Sequence, residues 1–241
     1  MISRKPLSDQ PSVRSPWFWV PSLYFAQGIP YVAVMIVSVL MYKRLGVSNT
    51  DIALYTSWLN LPWVIKPFWS PFVDLLKTKR WWVVTMQLLI GAGLAGVAFT
   101  IPTTFFFQAS LAVFWLLAFS SATHDIAADG FYMLALDSHE QAFFVGIRST
   151  FYRIAIIAGQ GVLVMFAGFL ENNTGNIPLA WSITFFILGG LFLGLFLYHR
   201  YILPLPEGDK PSVTVTPSTI VKEFFATFVS FFKKKQAFVA I

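Results

Sequence analysis

Asp125 and Asp129 stand four residues apart in the stretch Ser120-Ser121-Ala122-Thr123-His124-Asp125-Ile126-Ala127-Ala128-Asp129-Gly130, inside a long apolar run. On a helix that spacing puts both carboxyl groups on one face, a turn apart. Two carboxylates so close repel, which raises the proton affinity of at least one of them. A carboxyl that loads and releases a proton as its surroundings switch is the chemistry of a proton-coupled carrier or of a gate. Small neighbours (Ser121, Ala122, Ala128, Gly130) let another helix approach closely. Three cations, Lys66, Arg148 and Arg153, also lie within apolar runs. A charge at mid-bilayer costs about 2.5–3.5 kcal/mol even on the lenient insertion scale, so such groups face a bundle interior or a wet cavity. Three cations and two anions leave one positive charge over, which suits an anionic solute held by an arginine fork. A structural alternative is that Arg148 and Arg153 simply neutralise the two aspartates.

Two further stretches belong with these residues. Gln27-Gly28-Ile29-Pro30-Tyr31 places an amide, a flexible point and a helix breaker in the middle of an apolar run. Broken helices are tolerated at that depth only where protein or a water-lined cavity covers the freed backbone groups. Lys66-Pro67 joins a charge to a kink, as a substrate or gate contact or as a snorkelling anchor. Gln27, Tyr31, Lys66, Arg148 and Arg153 are therefore the candidates for a substrate path.

The elements that must position these groups are set by composition. The chain has 241 residues, 56% of them hydrophobic and only 12% charged, with no cysteine and 26 phenylalanines. Charge is about half that of soluble domains, which excludes a soluble globular or a disordered chain. The net charge of +6 sits in short clusters between apolar runs, a pattern that excludes a nucleic-acid-binding patch. A membrane crossing takes about 20 apolar residues, and six runs qualify. They are Trp17–Leu40, Asp51–Phe72, Trp81–Ile101, Thr104–Leu134, Ala142–Leu170 and Ala180–Leu203. The expected fold is an all-α membrane protein, a six-transmembrane-helix bundle over 17–203, with Trp17, Trp19, Trp81 and Trp82 as interfacial anchors.

Basic residues orient it. Arg4, Lys5, Arg14, then Lys77, Lys79, Arg80, then Arg200, Lys210, Lys222 and Lys233 to Lys235 all fall on the side of the N-terminus. The opposite loops hold only Lys43 and Arg44, so the N-terminal tail (1–16) is expected to be cytoplasmic. Residues 204–217 read as a solvated linker, and apolar spacing from Ser218 to Lys235 as an amphipathic helix on the cytoplasmic face. Residues 236–241 look like the start of a truncated seventh span. This layout is that of a two-half transporter missing its C-terminal half. No Walker A sequence, zinc spacing or nucleophile elbow is present, so neither an enzyme nor a metal or other cofactor is expected. His124, His139 and His199 are single and scattered, and read as packing or interface residues.

Pro71-Phe72-Val73-Asp74 with Lys77, Lys79 and Arg80 resembles the intracellular loop of the major facilitator superfamily, with Ser70 where that loop opens on Gly. Ala122-Thr123-His124-Asp125-Ile126-Ala127-Ala128-Asp129, Tyr24-Phe25-Ala26-Gln27-Gly28-Ile29-Pro30-Tyr31 and Trp63-Val64-Ile65-Lys66-Pro67-Phe68-Trp69 resemble the AmpG-like permeases of that superfamily. His124 stands where those permeases carry Gln. The resemblance covers about 17–203, the N-terminal half of such a permease. It implies proton-driven import of anhydro-muropeptides across a bacterial inner membrane, with gating contacts at the loop motif. The alternatives are a carrier of another anionic solute, such as an acyl-CoA, and a non-transporting membrane scaffold or enzyme.

Overall fold

A computed structural model describes residues 15–210 of the chain. Most of the expected N-terminal tail, the amphipathic linker helix and the seventh-span start lie outside the described residues. Five helices are long and apolar enough to cross a membrane, with mean hydropathy from 1.5 to 2.1. They are α1 (Pro16–Arg44), α5 (Lys79–Thr100), α6 (Phe106–Ala135), α7 (Ser138–Thr174) and α8 (Ile177–Ile202). The protein is a multi-pass, all-α membrane protein. Between α1 and α5 lie three short helices, α2 (Asn49–Thr56), α3 (Leu61–Val64) and α4 (Ser70–Leu76).

The second run is therefore not the single helix expected of it. Pro62, Pro67 and Pro71 each remove a backbone donor within ten residues, and the segment falls into short pieces of α and 3₁₀ helix, none longer than eight residues. It still runs the length of the bundle. Tyr55 meets Phe107 edge-on at one end, Lys66 reaches Asp125 midway, and Val73 packs among Trp19 and Phe131 at the other. The first run behaves in the opposite way. Its Gly28-Ile29-Pro30 stretch does not break the helix: α1 continues through Pro30 and widens to one π turn at Ala33–Val37. A second π turn in α7, Gly159–Leu163, packs against it.

Helix ends are set locally. Thr78 accepts the Trp81 N–H at the start of α5, and Asn176 accepts that of Leu179 at the start of α8. Asp137 and Glu140 form a capping box at α7, and Gly175 ends that helix at φ +63°, a backbone angle that favours glycine. Two apolar clusters fill the bundle. One, at the amino-terminal end, gathers Trp19, Leu23, Val83, Phe131, Phe144 and Leu203. The other, toward the far end, gathers Met41, Tyr42, Leu94, Phe114, Trp181 and Phe185. Trp19 is thus a core residue, sealed against Phe131, and not an interfacial anchor, whereas Trp17 and Trp81 are exposed.

Gly28 marks a close crossing of α1 and α7. A Cβ there would lie 2.7 Å from Ala155 Cβ and 2.8 Å from the Tyr152 carbonyl oxygen, neither of which can swing aside. Gly28→Ala is accordingly expected to cost about 1–3 kcal/mol by overpacking, read as a fall in the unfolding midpoint in detergent. The same change at Gly146, where nothing lies within 4 Å, should leave stability unchanged or slightly raised.

Candidate functional site

The two aspartates have different partners. Asp125 Oδ2 accepts a 2.5 Å hydrogen bond from Lys66 Nζ, donated across from the broken segment. Asp129 Oδ1 accepts from the Tyr24 hydroxyl at 3.0 Å and from Arg148 Nη1 at 3.4 Å. Arg148 Nη1 also donates to the Tyr24 oxygen at 3.0 Å, and its guanidinium carbon lies 5.0 Å from the ring centroids of both Tyr24 and Tyr132. Both aspartates sit on α6, which runs on to Ala135. At 1.5 Å per residue Asp125 is about 15 Å from that helix end and Asp129 about 9 Å. Of the alternative in which two arginines neutralise two aspartates, only Arg148–Asp129 is present: Lys66 serves Asp125, and Arg153 has no partner among the described residues.

A cavity of about 410 Å³ opens between α1, α6 and α7. Arg148 and Arg153 both line it, with Gln27, Asp129, Tyr24, Ser149 and Tyr152. The surplus positive charge counted from the sequence is therefore carried by an exposed arginine in this cavity. Lys66 and Tyr31 are not among its lining residues. Lys66 is turned to Asp125, and Tyr31 stands edge-on to Trp63, 5.2 Å between centroids. Gln27 Oε1, on a residue of the cavity lining, is buried with no hydrogen-bond partner among the described residues.

Behind Asp125 lies a polar layer that spacing alone did not reveal. Gln87 on α5 joins His124 Nε2 on α6 at 3.1 Å and His199 Nδ1 on α8 at 3.0 Å, and His199 Nε2 meets Ser22 Oγ on α1 at 2.9 Å. Gln87, His124 and His199 are fully buried, in a band between the two apolar clusters. Histidines read as scattered are thus joined through one glutamine. The only prior sign was polar residues at matching depth in three apolar runs. At the far end, Arg44 and Trp181 both bond Glu171, tying α1, α7 and α8 together; neither Arg44 nor Glu171 stood out in the sequence.

The loop motif gathers at the amino-terminal end. Lys79 is ion-paired with Asp74, and its stem lies on Gly130, where a Cβ would meet Lys79 Cε at 2.8 Å. Asp209 accepts the backbone N–H groups of Lys79 (2.6 Å) and Arg80 (3.0 Å), while Arg80 donates to the carbonyls of Arg200 and Leu203 that end α8. Lys77 stands over the Trp81 ring at 5.9 Å.

The chain is 27% identical over 237 residues to the candidate transporter AmpG 4 of Rickettsia conorii, covering 89% of this chain and 52% of that protein. It is 24% identical over 227 residues to the anhydromuropeptide permease of Escherichia coli K12, covering 91% of this chain and 43% of that one. An uncharacterised membrane protein of Saccharomyces cerevisiae is 28% identical over 233 residues, covering 81% of this chain and 40% of its own length. The chain therefore spans about half the length of the curated relatives it matches. A family profile matches residues 25–235, and on that match the chain belongs to the BT1 family.

Proposed function

We propose that this chain is the N-terminal six-crossing half of a secondary transporter that carries a small anionic solute by alternating access. The observation that carries this reading is the charge arrangement at membrane depth. Two ion pairs, Lys66–Asp125 and Arg148–Asp129, stand beside a cavity into which Arg153 brings a cation with no described partner. Ionised groups are retained in an apolar bundle where they border a water-accessible route. Arg153 and Gln27 supply donors and an amide for a carboxylate-bearing solute, and Tyr24 and Tyr152 supply aromatic surface. Asp129, exposed to the cavity, and Asp125, paired behind it, are the proton-coupling or gating groups. Asp74, Lys77, Lys79 and Arg80 make the gating contacts of the cytoplasmic loop.

The solute is an anhydro-muropeptide, in keeping with the name of the Escherichia coli relative, and the membrane is a bacterial inner membrane with the N-terminus cytoplasmic. The chain is no enzyme on this reading; its work is vectorial. The domain limits proposed with it are tail 1–16, bundle 17–203, linker 204–235 and the start of a seventh span at 236–241. The test uses the full-length polypeptide in proteoliposomes. An inward proton gradient is expected to raise muropeptide uptake several-fold, and unlabelled muropeptide to compete where an acyl-CoA does not. Competition by acyl-CoA alone would transfer the reading to the other anionic solute. Uptake of neither, with or without a gradient, would reject transport.

A further inference from the structure

A second concavity lies on a different flank. It is a groove of about 520 Å³ between α5 and α8, closed at the amino-terminal end by residues 205–209, and it shares no helix with the cavity of α1, α6 and α7. Its surface changes character along its length. Val84 and Leu88 on α5 and Phe196 on α8 line it with Thr85, and Leu88 is 41% exposed, so this part is largely apolar and open. Trp81 is also exposed, two turns nearer the helix start, and the Lys77 ammonium stands over its ring. Arg200 lies one turn beyond Phe196 toward the same end; it is exposed, and while its carbonyl accepts from Arg80, its guanidinium has no partner among the described residues. Asp209, the one acidic residue of the lining, is spent on the N–H groups of Lys79 and Arg80.

The sequence of surfaces is thus hydrocarbon wall, indole, then the Arg200 guanidinium in the lining, with the Lys77 ammonium at the rim over the Trp81 ring. From Leu88 to Trp81 is about 10 Å along a helix, within the roughly 15 Å that one leaflet contributes to the hydrocarbon core. Indoles settle at the headgroup level, and basic pockets between membrane helices hold anionic headgroups. We propose that this groove is a binding site for one anionic phospholipid, its phosphate between Arg200 and Lys77, its glycerol region against Trp81 and its acyl chains along Leu88 and Phe196. A second copy of the chain or another protein would have to match a cationic rim above an apolar wall within one narrow groove. A leaflet of the surrounding bilayer presents that pattern already.

The test needs no transport assay. The full chain in detergent is equilibrated with equal amounts of phosphatidylglycerol and phosphatidylcholine, and retained lipid is counted by native mass spectrometry. Phosphatidylglycerol should be retained at least fivefold over phosphatidylcholine, and the double variant Lys77→Gln/Arg200→Gln should bring the ratio below twofold. Both side chains are exposed, so the fold should survive, and Lys43→Gln at the far end should leave the ratio unchanged. Millimolar glycerol phosphate should not displace the lipid; displacement would make the groove a free-phosphate site and overturn the assignment. A photo-crosslinker at Leu88 should acquire the mass of a phospholipid. An adduct within the chain or with a second copy, or equal retention of both lipids, would also overturn it.

Discussion

Asp125→Leu is expected to lower stability by about 3–5 kcal/mol, the usual cost of stranding one member of a buried ion pair, and to abolish gradient-driven uptake. Lys66→Met added to it should restore more than half of the lost stability and none of the transport. The expectation rests on where the two groups sit. The Asp125 side chain is 9% exposed and that of Lys66 28%, with 2.5 Å between Oδ2 and Nζ. A lone ammonium left there must be rehydrated or discharged. Removing both charges and filling the space with carbon removes that penalty, as replacement of buried ion pairs by apolar residues commonly does. Transport should not recover, because neither leucine nor methionine takes up a proton. Unfolding midpoints in detergent and uptake in proteoliposomes read the two effects separately. A double variant that regains both would make the pair a structural strut and remove Asp125 from the coupling chemistry. The half-exposed Asp129 carries no such stability term, so Asp129→Asn should leave the midpoint within about 1 kcal/mol while weakening the gradient response.

Much of this arrangement is legible in the sequence because lipid as solvent leaves few choices. Apolar runs long enough to cross had to be helices, and five became continuous helices near the limits read from composition. The second run misled because hydropathy counts carbon and ignores donors. Pro62, Pro67 and Pro71 leave its apolarity intact and its hydrogen-bond ladder broken, while Pro30 alone left α1 whole. Charges at depth were found for the same reason that they are costly. Their pairing was not, since Lys66 and Asp125 are 59 residues apart and no helical periodicity links separate segments. The Gln87 layer was missed more completely. A glutamine carries no charge, and two histidines separated along the chain gave no local pattern, although their burial and hydrogen bonds make them one unit. The Glu171 clamp shows a further limit. Arg44 at a helix end reads as a loop charge until the fold brings a buried acid to it.

Arg148→Lys is expected to reduce uptake about tenfold or more at low solute concentration, while the unfolding midpoint moves little because the Arg148–Asp129 pair is half-exposed and worth under about 1 kcal/mol. Lysine keeps the charge and loses the shape. The guanidinium lies 5.0 Å from each of two tyrosine ring centroids and sends one nitrogen to both the Tyr24 hydroxyl and Asp129, a set of contacts that a flexible ammonium cannot make together. The consequence falls on Asp129, whose position depends on Tyr24 and Arg148. Tyr24→Phe removes one of those donors and keeps the stacked ring, so its effect should be smaller, about threefold. Arg153→Gln supplies the contrast. That side chain lines the same cavity with no described partner, so its loss should raise the half-saturating solute concentration and leave the response to the proton gradient intact. Initial uptake rates across solute concentration, with and without the gradient, separate the two arginines. Equal behaviour of Arg148→Lys and Arg153→Gln would mean that both act only as positive charge. Recognition by the planar fork against Tyr24 and Tyr132 would then be wrong, because a point charge in the cavity would do as well.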